Sequence, residues 1–180
     1  MVELSTAVHF AWQTAAFEAV EACFQSIEPV HLFVGVASVE KLFRPKAEEY
    51  LPIPSERLAA ARAEWVAVSG LFERAGMPAT RLRRKLRKAA GMGDCTYQIQ
   101  REISRSDASR AIFIRAAALA QAAGLTRTGL MHLLVALVDG EDHALCRMLG
   151  EIGVDAAILR TGLELDEDDL ESTEREVRIG

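Results

Sequence analysis

The sequence has few aromatic residues and contains no long apolar run. Phenylalanine, tryptophan and tyrosine make up 6% of its 180 residues, and the alanine that takes their place favours closely packed helices over a sheet sandwich. No apolar stretch approaches the ~20 residues that are needed to cross a bilayer. The first ten residues include acidic and polar side chains, whereas a signal peptide has a basic start and an apolar stretch. We therefore expect a globular cytoplasmic protein that does not contact a membrane.

Cysteines and catalytic motifs are also scarce. The three cysteines, Cys23, Cys95 and Cys146, are far apart and form no CxxC pair, which is typical of reduced thiols. The phosphate-binding motif GxxxxGK(S/T) is absent, as are HExxH, GxSxG and GxGxxG. We therefore predict that the protein is not an enzyme and has no catalytic residue, no metal site and no cofactor.

The formal net charge of −5 resides in the C-terminal segment. Residues 164–180 contain eight acids and two arginines, a net charge of −6, which leaves +1 for residues 1–163. A nearly neutral body argues against a general nucleic-acid binder, because such proteins have a clear excess of basic charge. We interpret residues 166–180 as an acidic tail or as a linker, since they combine few apolar residues with like-charge repulsion.

Apolar residues recur at steps of three and four along the first half, which predicts four helices. Ser5 is suited to cap the first helix, and Pro29 is suited to begin the second, which is apolar on most sides. After a proline-containing loop, Ser55 is suited to cap a long third helix that ends at Gly76. The fourth helix is expected over residues 79–90.

The second half repeats this order of helices, with Ser106 and Thr128 as the expected caps of its first two. Ten residues of the first half are identical to the residues 101 positions further along, and these pairs include His31 and His132. Further on, the offset falls to 77. The difference, 101 − 77 = 24 residues, indicates an insertion at about residues 43–69 of the first copy.

Three elements of the second copy have a family resemblance. The spacing Ala-x-x-x-Ala-x-x-x-Gly, the segment His-Leu-Leu-x-Ala-Leu at 132–137 and the Gly-Val-Asp at 153–155 together resemble the double Clp N-terminal repeat. The better copy runs from Ser106 to Leu163. The first copy is degenerate, because it has HLFVGV at 31–36 and Cys23 in place of a glycine.

The resemblance implies an all-α fold in which two pseudo-symmetric four-helix repeats pack as one double-bundle domain. It places the first, degenerate repeat at residues 1–90, a linker at 91–105 and the second repeat at 106–165. In the family, this domain stands at the front of Clp/Hsp100 AAA+ unfoldases, where it docks adaptors or captures unfolded proteins without catalysis of its own. The implied partners are therefore unfolded or tagged proteins, an adaptor, and an AAA+ ATPase module or ring.

The residues before the two repeated histidines depart from part of the family. Some members recognise phosphorylated arginine through an acid at this position, but the sequence has Val30 and Met131 there. Because an apolar side chain gives a phosphate no hydrogen bond, we predict that Val30 and Met131 contact an apolar protein partner. We interpret His31 and His132 as structural residues rather than metal ligands, since no other ligand stands at suitable spacing.

The basic run at residues 81–88 supports an alternative function. Its six cations fit a free-standing regulatory protein that contacts nucleic acid or an acidic partner. The simpler interpretation is the solvated face of a helix whose leucines, Leu82 and Leu86, pack inward. Within the insertion, Trp65 also has two interpretations: it anchors a bound protein, or it packs inside a lengthened helix.

Overall fold

The computed structural model describes residues 3–44, 53–94, 103–139 and 144–163. The helices of this part of the chain are α1 (Thr6–Glu21), α2 (Pro29–Val36), α3 (Ser55–Arg74), α4 (Ala79–Ala90), α5 (Asp107–Ala122), α6 (Leu130–Val138), α7 (Ala144–Glu151) and α8 (Ala156–Arg160), with a short 3-10 helix at Val39–Phe43. Its four strands are only two residues long: β1 (Glu3–Leu4), β2 (Ser26–Ile27), β3 (Ser104–Arg105) and β4 (Arg127–Thr128). The prediction of an all-α fold is confirmed.

Two serines cap the first helix of each repeat, as their positions predict. Ser5 Oγ accepts a hydrogen bond from the N–H of Val8 at 3.2 Å, and Ser106 Oγ accepts one from the N–H of Ser109 at 3.2 Å. Each bond satisfies a backbone donor that has no partner within its own helix. The two helices therefore begin with the same serine N-cap, 101 residues apart.

Two other predicted caps are wrong. Ser55 is the first residue of α3, and Pro54 stands before it in an extended conformation that its ring favours. Thr128 belongs to strand β4, so that Gly129 takes the N-cap position of α6. In both places a backbone constraint outside the helix, a proline ring or a strand pairing, shifts the start of the helix by one residue.

Two pairs of short parallel strands join the halves of the chain. Strand β1 pairs with β4, and β2 pairs with β3, so each half contributes one strand to each pair. The offset of 101 residues places β1 on β3 and β2 on β4. Exchange of the two repeats therefore converts one strand pair into the other. Sequence periodicity missed these strands, because two residues are too few to show an alternation.

Helix α2 lies at the centre of the core, in agreement with its apolar sequence. All eight of its residues are buried, and its most extensive contacts are with α1. At the point of closest approach, a Cβ atom on Gly35 would lie 2.1 Å from the carbonyl oxygen of Ala11. The two helices therefore pack backbone to backbone, which only glycine permits at this position.

The turn after α1 has a cysteine where the corresponding turn after α5 has a glycine. Cys23 has a φ of 59° and Gly124 a φ of 72°. This left-handed conformation costs a residue with a Cβ atom about 1 kcal/mol, a cost that glycine avoids. Cys23 is disulfide-bonded, whereas Cys146 is a free thiol. The prediction of reduced cysteines is therefore wrong for Cys23 and confirmed for Cys146, and Cys95 lies outside the described residues.

Candidate functional site

The two residues that the sequence predicts to contact a partner have different surroundings. Val30, in the first turn of α2, is 8% exposed and lines an open groove. Met131, in the first turn of α6, is 7% exposed and packs against Gly162, where a Cβ atom would lie 2.4 Å from the methionine sulfur. The structure thus places Val30 beside a surface that a partner can enter and Met131 beneath the residues that follow α8.

The groove beside Val30, called the α1–α2 groove here, has a volume of about 410 Å³. It is formed by the second half of α1, the start of α2, and the end of α4 with the residues that follow it. Val30 and Val34 are buried in its lining, whereas Phe17 is 73% exposed and Met92 is 67% exposed. The exposure of large apolar side chains to water is unfavourable, so the binding of a partner that covers them is favoured.

Phe17 is a groove residue that sequence reasoning missed. The buried stripe of α1 runs through Ala7, Ala11, Ala15 and Ala19, and Phe17 lies off that stripe. A large aromatic residue on the polar side of an amphipathic helix indicates a surface for something other than the core. The position of Phe17 off the alanine stripe can be read from the sequence alone.

An ion pair joins α1 to α4 in the groove lining. Arg87 Nε donates to Glu18 Oε2 at 2.6 Å, and Arg87 Nη2 donates to Glu18 Oε1. This two-bond pairing raises the pKa of Arg87, while burial acts in the opposite direction. Each charge already has its counter-charge. An apolar ligand that binds in the groove therefore does not have to bury an unpaired ion.

The buried histidine of α2 holds the start of its helix. His31 Nδ1 accepts a hydrogen bond from the N–H of Glu28 at 2.9 Å, and its ring meets Phe24 edge to face with centroids 4.5 Å apart. Burial lowers the pKa of His31 against the effect of nearby carboxylates, which favours the neutral ring that accepts this bond. His132 Nδ1 accepts from the N–H of Gly129 at 3.1 Å. Both histidines therefore hold the first turn of their helices, as a structural role requires.

At the start of α6, a carboxylate from α3 caps the helix. Glu64 Oε2 accepts hydrogen bonds from Ser5 Oγ at 2.8 Å and from the N–H of Leu130 at 2.6 Å. Burial raises the pKa of Glu64, and these two bonds act to lower it. The first repeat has its own acid before α2, Glu28, whereas the second repeat has Gly129. Helix α3 thus supplies the acid that the second repeat lacks at this position.

Sequence reasoning missed Glu64, although its position gives a signal. The buried stripe of α3 includes Ala61 and Val68, and Glu64 lies on the same side of the helix. A charged residue on a buried stripe indicates a hydrogen-bonded partner. The neighbouring Trp65 is half-buried and meets Phe72 of the same helix edge to face at a centroid distance of 6.2 Å, which favours the packing interpretation of Trp65.

Two substitutions of Glu64 distinguish the contribution of its hydrogen bonds to stability from that of its charge. Glu64→Gln keeps an oxygen acceptor, so we expect little loss of stability at pH 7, whereas Glu64→Ala should lower the free energy of unfolding by about 1–3 kcal/mol. Because the folded pKa of Glu64 lies above its ordinary value of 4.5, the wild type should lose stability relative to Glu64→Gln as pH rises from that value through the folded pKa. Urea unfolding at acidic and neutral pH measures both effects. An equal loss in the two variants contradicts the assigned bonds.

The basic helix α4 uses half of its cations within the fold. The partners are the carbonyl of Ala37 and the carboxylate of Glu40 for Arg83, the carbonyl of Ile152 for Lys85, and Glu18 for Arg87. Arg83 is only 5% exposed, and Leu82 and Leu86 are fully buried. Arg81, Arg84 and Lys88 are exposed to solvent. The inward-packing interpretation of this helix is confirmed.

Other kinds of site are little represented in the described residues. Within those ranges, no group of three His, Cys, Asp or Glu side chains is placed to hold a metal ion. None of the helices there is both long enough and apolar enough to cross a membrane. A second groove, of about 330 Å³, lies between α1 and the residues before α3 and has a mixed polar and apolar lining.

The chain has structural neighbours but no match by sequence. No family model matches it, and no curated protein matches it significantly. The N-terminal domain of Hsp104 from Candida albicans has a TM-score of 0.60 at 14% identity, over 89% of this chain and 88% of that one. The N-terminal domain of the caseinolytic protease associated chaperone ClpD from Arabidopsis thaliana has a TM-score of 0.56 at 13% identity, over 92% of this chain and 95% of that one. A structure from work on a malarial protein secretion system has a TM-score of 0.63 at 13% identity, over 91% and 94%.

Proposed function

We propose that this chain, which has the fold of the Clp/Hsp100 N-terminal domain, is a non-catalytic interaction module that binds polypeptides in the α1–α2 groove. The observation that carries the proposal is the groove itself, whose buried valines, Val30 and Val34, lie beside two exposed apolar side chains, Phe17 and Met92. A concave, mostly apolar lining next to exposed apolar surface is typical of a binding site.

An apolar polypeptide segment is the ligand that suits this groove best. The apolar lining can take up aliphatic or aromatic side chains, and the Glu18–Arg87 pair needs no further counter-charge. Unfolded proteins expose such segments, and a docking segment of an adaptor can present one. We therefore propose unfolded or tagged proteins and an adaptor as partners. We propose that the chain works together with an AAA+ ATPase module or ring in the cytoplasm.

We also propose that the open site belongs to the first of two repeats, at residues 1–90 and 106–165. The reciprocal strand pairs and the shared capping serines support this division. Val30 is part of the proposed site. Its counterpart Met131 could reach a partner only if the residues around Gly162 moved away, because the two are in contact.

Nucleic-acid binding through α4 has less support, because half of the cations in that helix have partners inside the fold. Arg81, Arg84 and Lys88 are exposed, and Arg87 is exposed but already paired with Glu18. Contacts with phosphate weaken steeply as salt rises, since binding releases counterions, whereas apolar burial does not. The salt dependence of binding therefore distinguishes the two functions.

We expect the double variant Phe17→Ser, Met92→Ser to lose most of its binding to an unfolded protein. The probe is fluorescein-labelled lactalbumin that reduction and carboxymethylation keep unfolded, and fluorescence anisotropy measures its Kd. Loss of two apolar contacts should weaken binding by about tenfold or more. The matched control is Ile114→Ser, whose side chain is 72% exposed on α5 and outside the groove lining, and it should bind as the wild type does.

The outcomes of this experiment separate the site from the function. All three substitutions remove exposed side chains, so circular dichroism should show an unchanged fold. Equal Kd values for the wild type, the double variant and the control contradict the proposed site. A wild type that does not bind the probe contradicts the proposed function, and binding of labelled DNA that disappears in moderate salt supports the alternative.

A further inference from the structure

The end of helix α1 has a cysteine that the local backbone does not favour. The turns after α1 and α5 are closed by the same pair of backbone hydrogen bonds, and both contain one left-handed residue. That residue is Gly124 in the second repeat and Cys23 in the first, with a φ of 59°. Since the turn alone favours glycine, the cysteine must be explained by its side chain, and this side chain is disulfide-bonded.

The same turn supports one wall of the α1–α2 groove. The N–H of Gly93 donates to the carbonyl of Ala22 at 2.8 Å, and a Cβ atom on Gly93 would lie 2.3 Å from the carbonyl oxygen of Cys23. The residues just before Gly93, Gly91 and Met92, line the groove. The wall formed by residues 91–94 therefore rests directly on the backbone of the disulfide-bonded residue.

We propose that the disulfide at Cys23 holds this wall in place and makes the groove sensitive to reduction. A dithiol reductant breaks the S–S bond, supplies two electrons and two protons to form two thiols, and becomes a disulfide itself. Residues 91–94 then keep only the Gly93–Ala22 hydrogen bond and the close backbone packing on the turn, and Met92 no longer has a fixed position at the groove. The effect on ligand binding rests on the proposed function, whereas the loosening of the wall does not.

In the proposed cytoplasmic location, this disulfide would respond to redox conditions. Disulfides in the cytoplasm are reduced at equilibrium, and those that form there are usually transient and respond to redox conditions. A module that works in that compartment would therefore have a closed wall under oxidising conditions and a loose wall under reducing ones. Unfolded proteins also accumulate under oxidation, because oxidised side chains disrupt protein cores.

Hydrogen exchange at the amide of Gly93 tests the proposal without a ligand. We compare the wild type purified without reductant, the wild type treated with dithiothreitol, and Cys23→Gly, which keeps the left-handed turn as Gly124 does in the second repeat. Reduction should accelerate exchange at Gly93 by about tenfold. Cys23→Gly should match the reduced wild type and should not respond to dithiothreitol. The amide of Leu125, in the corresponding turn, is the internal control and should not change.

Binding of the carboxymethylated lactalbumin probe, which has no free thiol, provides the second measurement. Its Kd should increase by about tenfold on reduction of the wild type and should be unaffected by reductant in Cys23→Gly. Three outcomes would each overturn the proposal: unchanged exchange at Gly93, a wild type with three free thiols, or a Kd that does not depend on the redox state. If the probe binds in neither state, the proposed function fails, and the exchange measurement alone decides whether the disulfide holds the wall.

Discussion

Replacement of Gly35 by alanine is expected to destabilise the chain by about 3 kcal/mol or more. The new Cβ atom would lie 2.1 Å from the carbonyl oxygen of Ala11 and 3.3 Å from the amide nitrogen of Ala15. Both are backbone atoms of buried residues in α1, so neither can rotate away as a flexible side chain would. Relief of the clash requires α1 and α2 to separate, which opens the largest helix contact of the first repeat.

Gly70→Ala is the matched control for this variant. Gly70 is also helical, but the nearest atom to its added Cβ would be a guanidinium nitrogen of Arg74 at 3.9 Å, which is an ordinary contact. Alanine has a higher helix propensity, so Gly70→Ala should stabilise the chain by about 0.5–1 kcal/mol. Urea unfolding measures both free energies. A Gly35→Ala variant as stable as Gly70→Ala would contradict the backbone-to-backbone packing of α1 and α2.

Met131→Asp is expected to cost about 4 kcal/mol or more and to leave much of the chain unfolded. The side chain of Met131 is 7% exposed and fills the space above Gly162 together with a methyl group of Leu71. A carboxylate at this place would be buried among apolar atoms without a counter-charge. Loss of binding in such a variant would therefore report on stability rather than on a contact with a partner.

Met131→Leu distinguishes burial from a change in a binding surface. It keeps the volume and the apolar character, so it should cost less than about 1.5 kcal/mol. Far-UV circular dichroism and urea unfolding of the two variants measure the difference. A folded Met131→Asp with the stability of Met131→Leu would show that this residue faces solvent, and it would return Met131 to the proposed site beside Val30.

The helices and their repeat could be predicted because they are encoded locally. Steps of three and four residues identify the buried face of α1, and the serines at 5 and 106 cap their helices through bonds within a single turn. The central place of α2 follows from a run with no polar face. These features depend on neighbours within four residues, which a sequence shows directly.

The site was less predictable because its residues come from distant parts of the chain. Val30 and Met131 occupy equivalent positions in sequence, yet only Met131 is covered, by residues after α8. Glu64 reaches Leu130 from 66 positions away, and the rest of the groove comes from α1 and α4. No periodicity describes such contacts, since they arise from how the elements pack. The disulfide of Cys23 was missed because an odd number of distant cysteines was taken to indicate reduced thiols.

The reciprocal strand pairs have a consequence for the synthesis of the chain. Neither pair can close until strands β3 and β4 have left the ribosome, and these lie far behind the partners β1 and β2 along the chain. At ordinary rates of translation, the first repeat waits for several seconds with its strand edges unpaired. Glu64 waits for Leu130, which follows it by 66 residues. During that time the nascent first repeat lacks the strand partners that the second repeat later supplies.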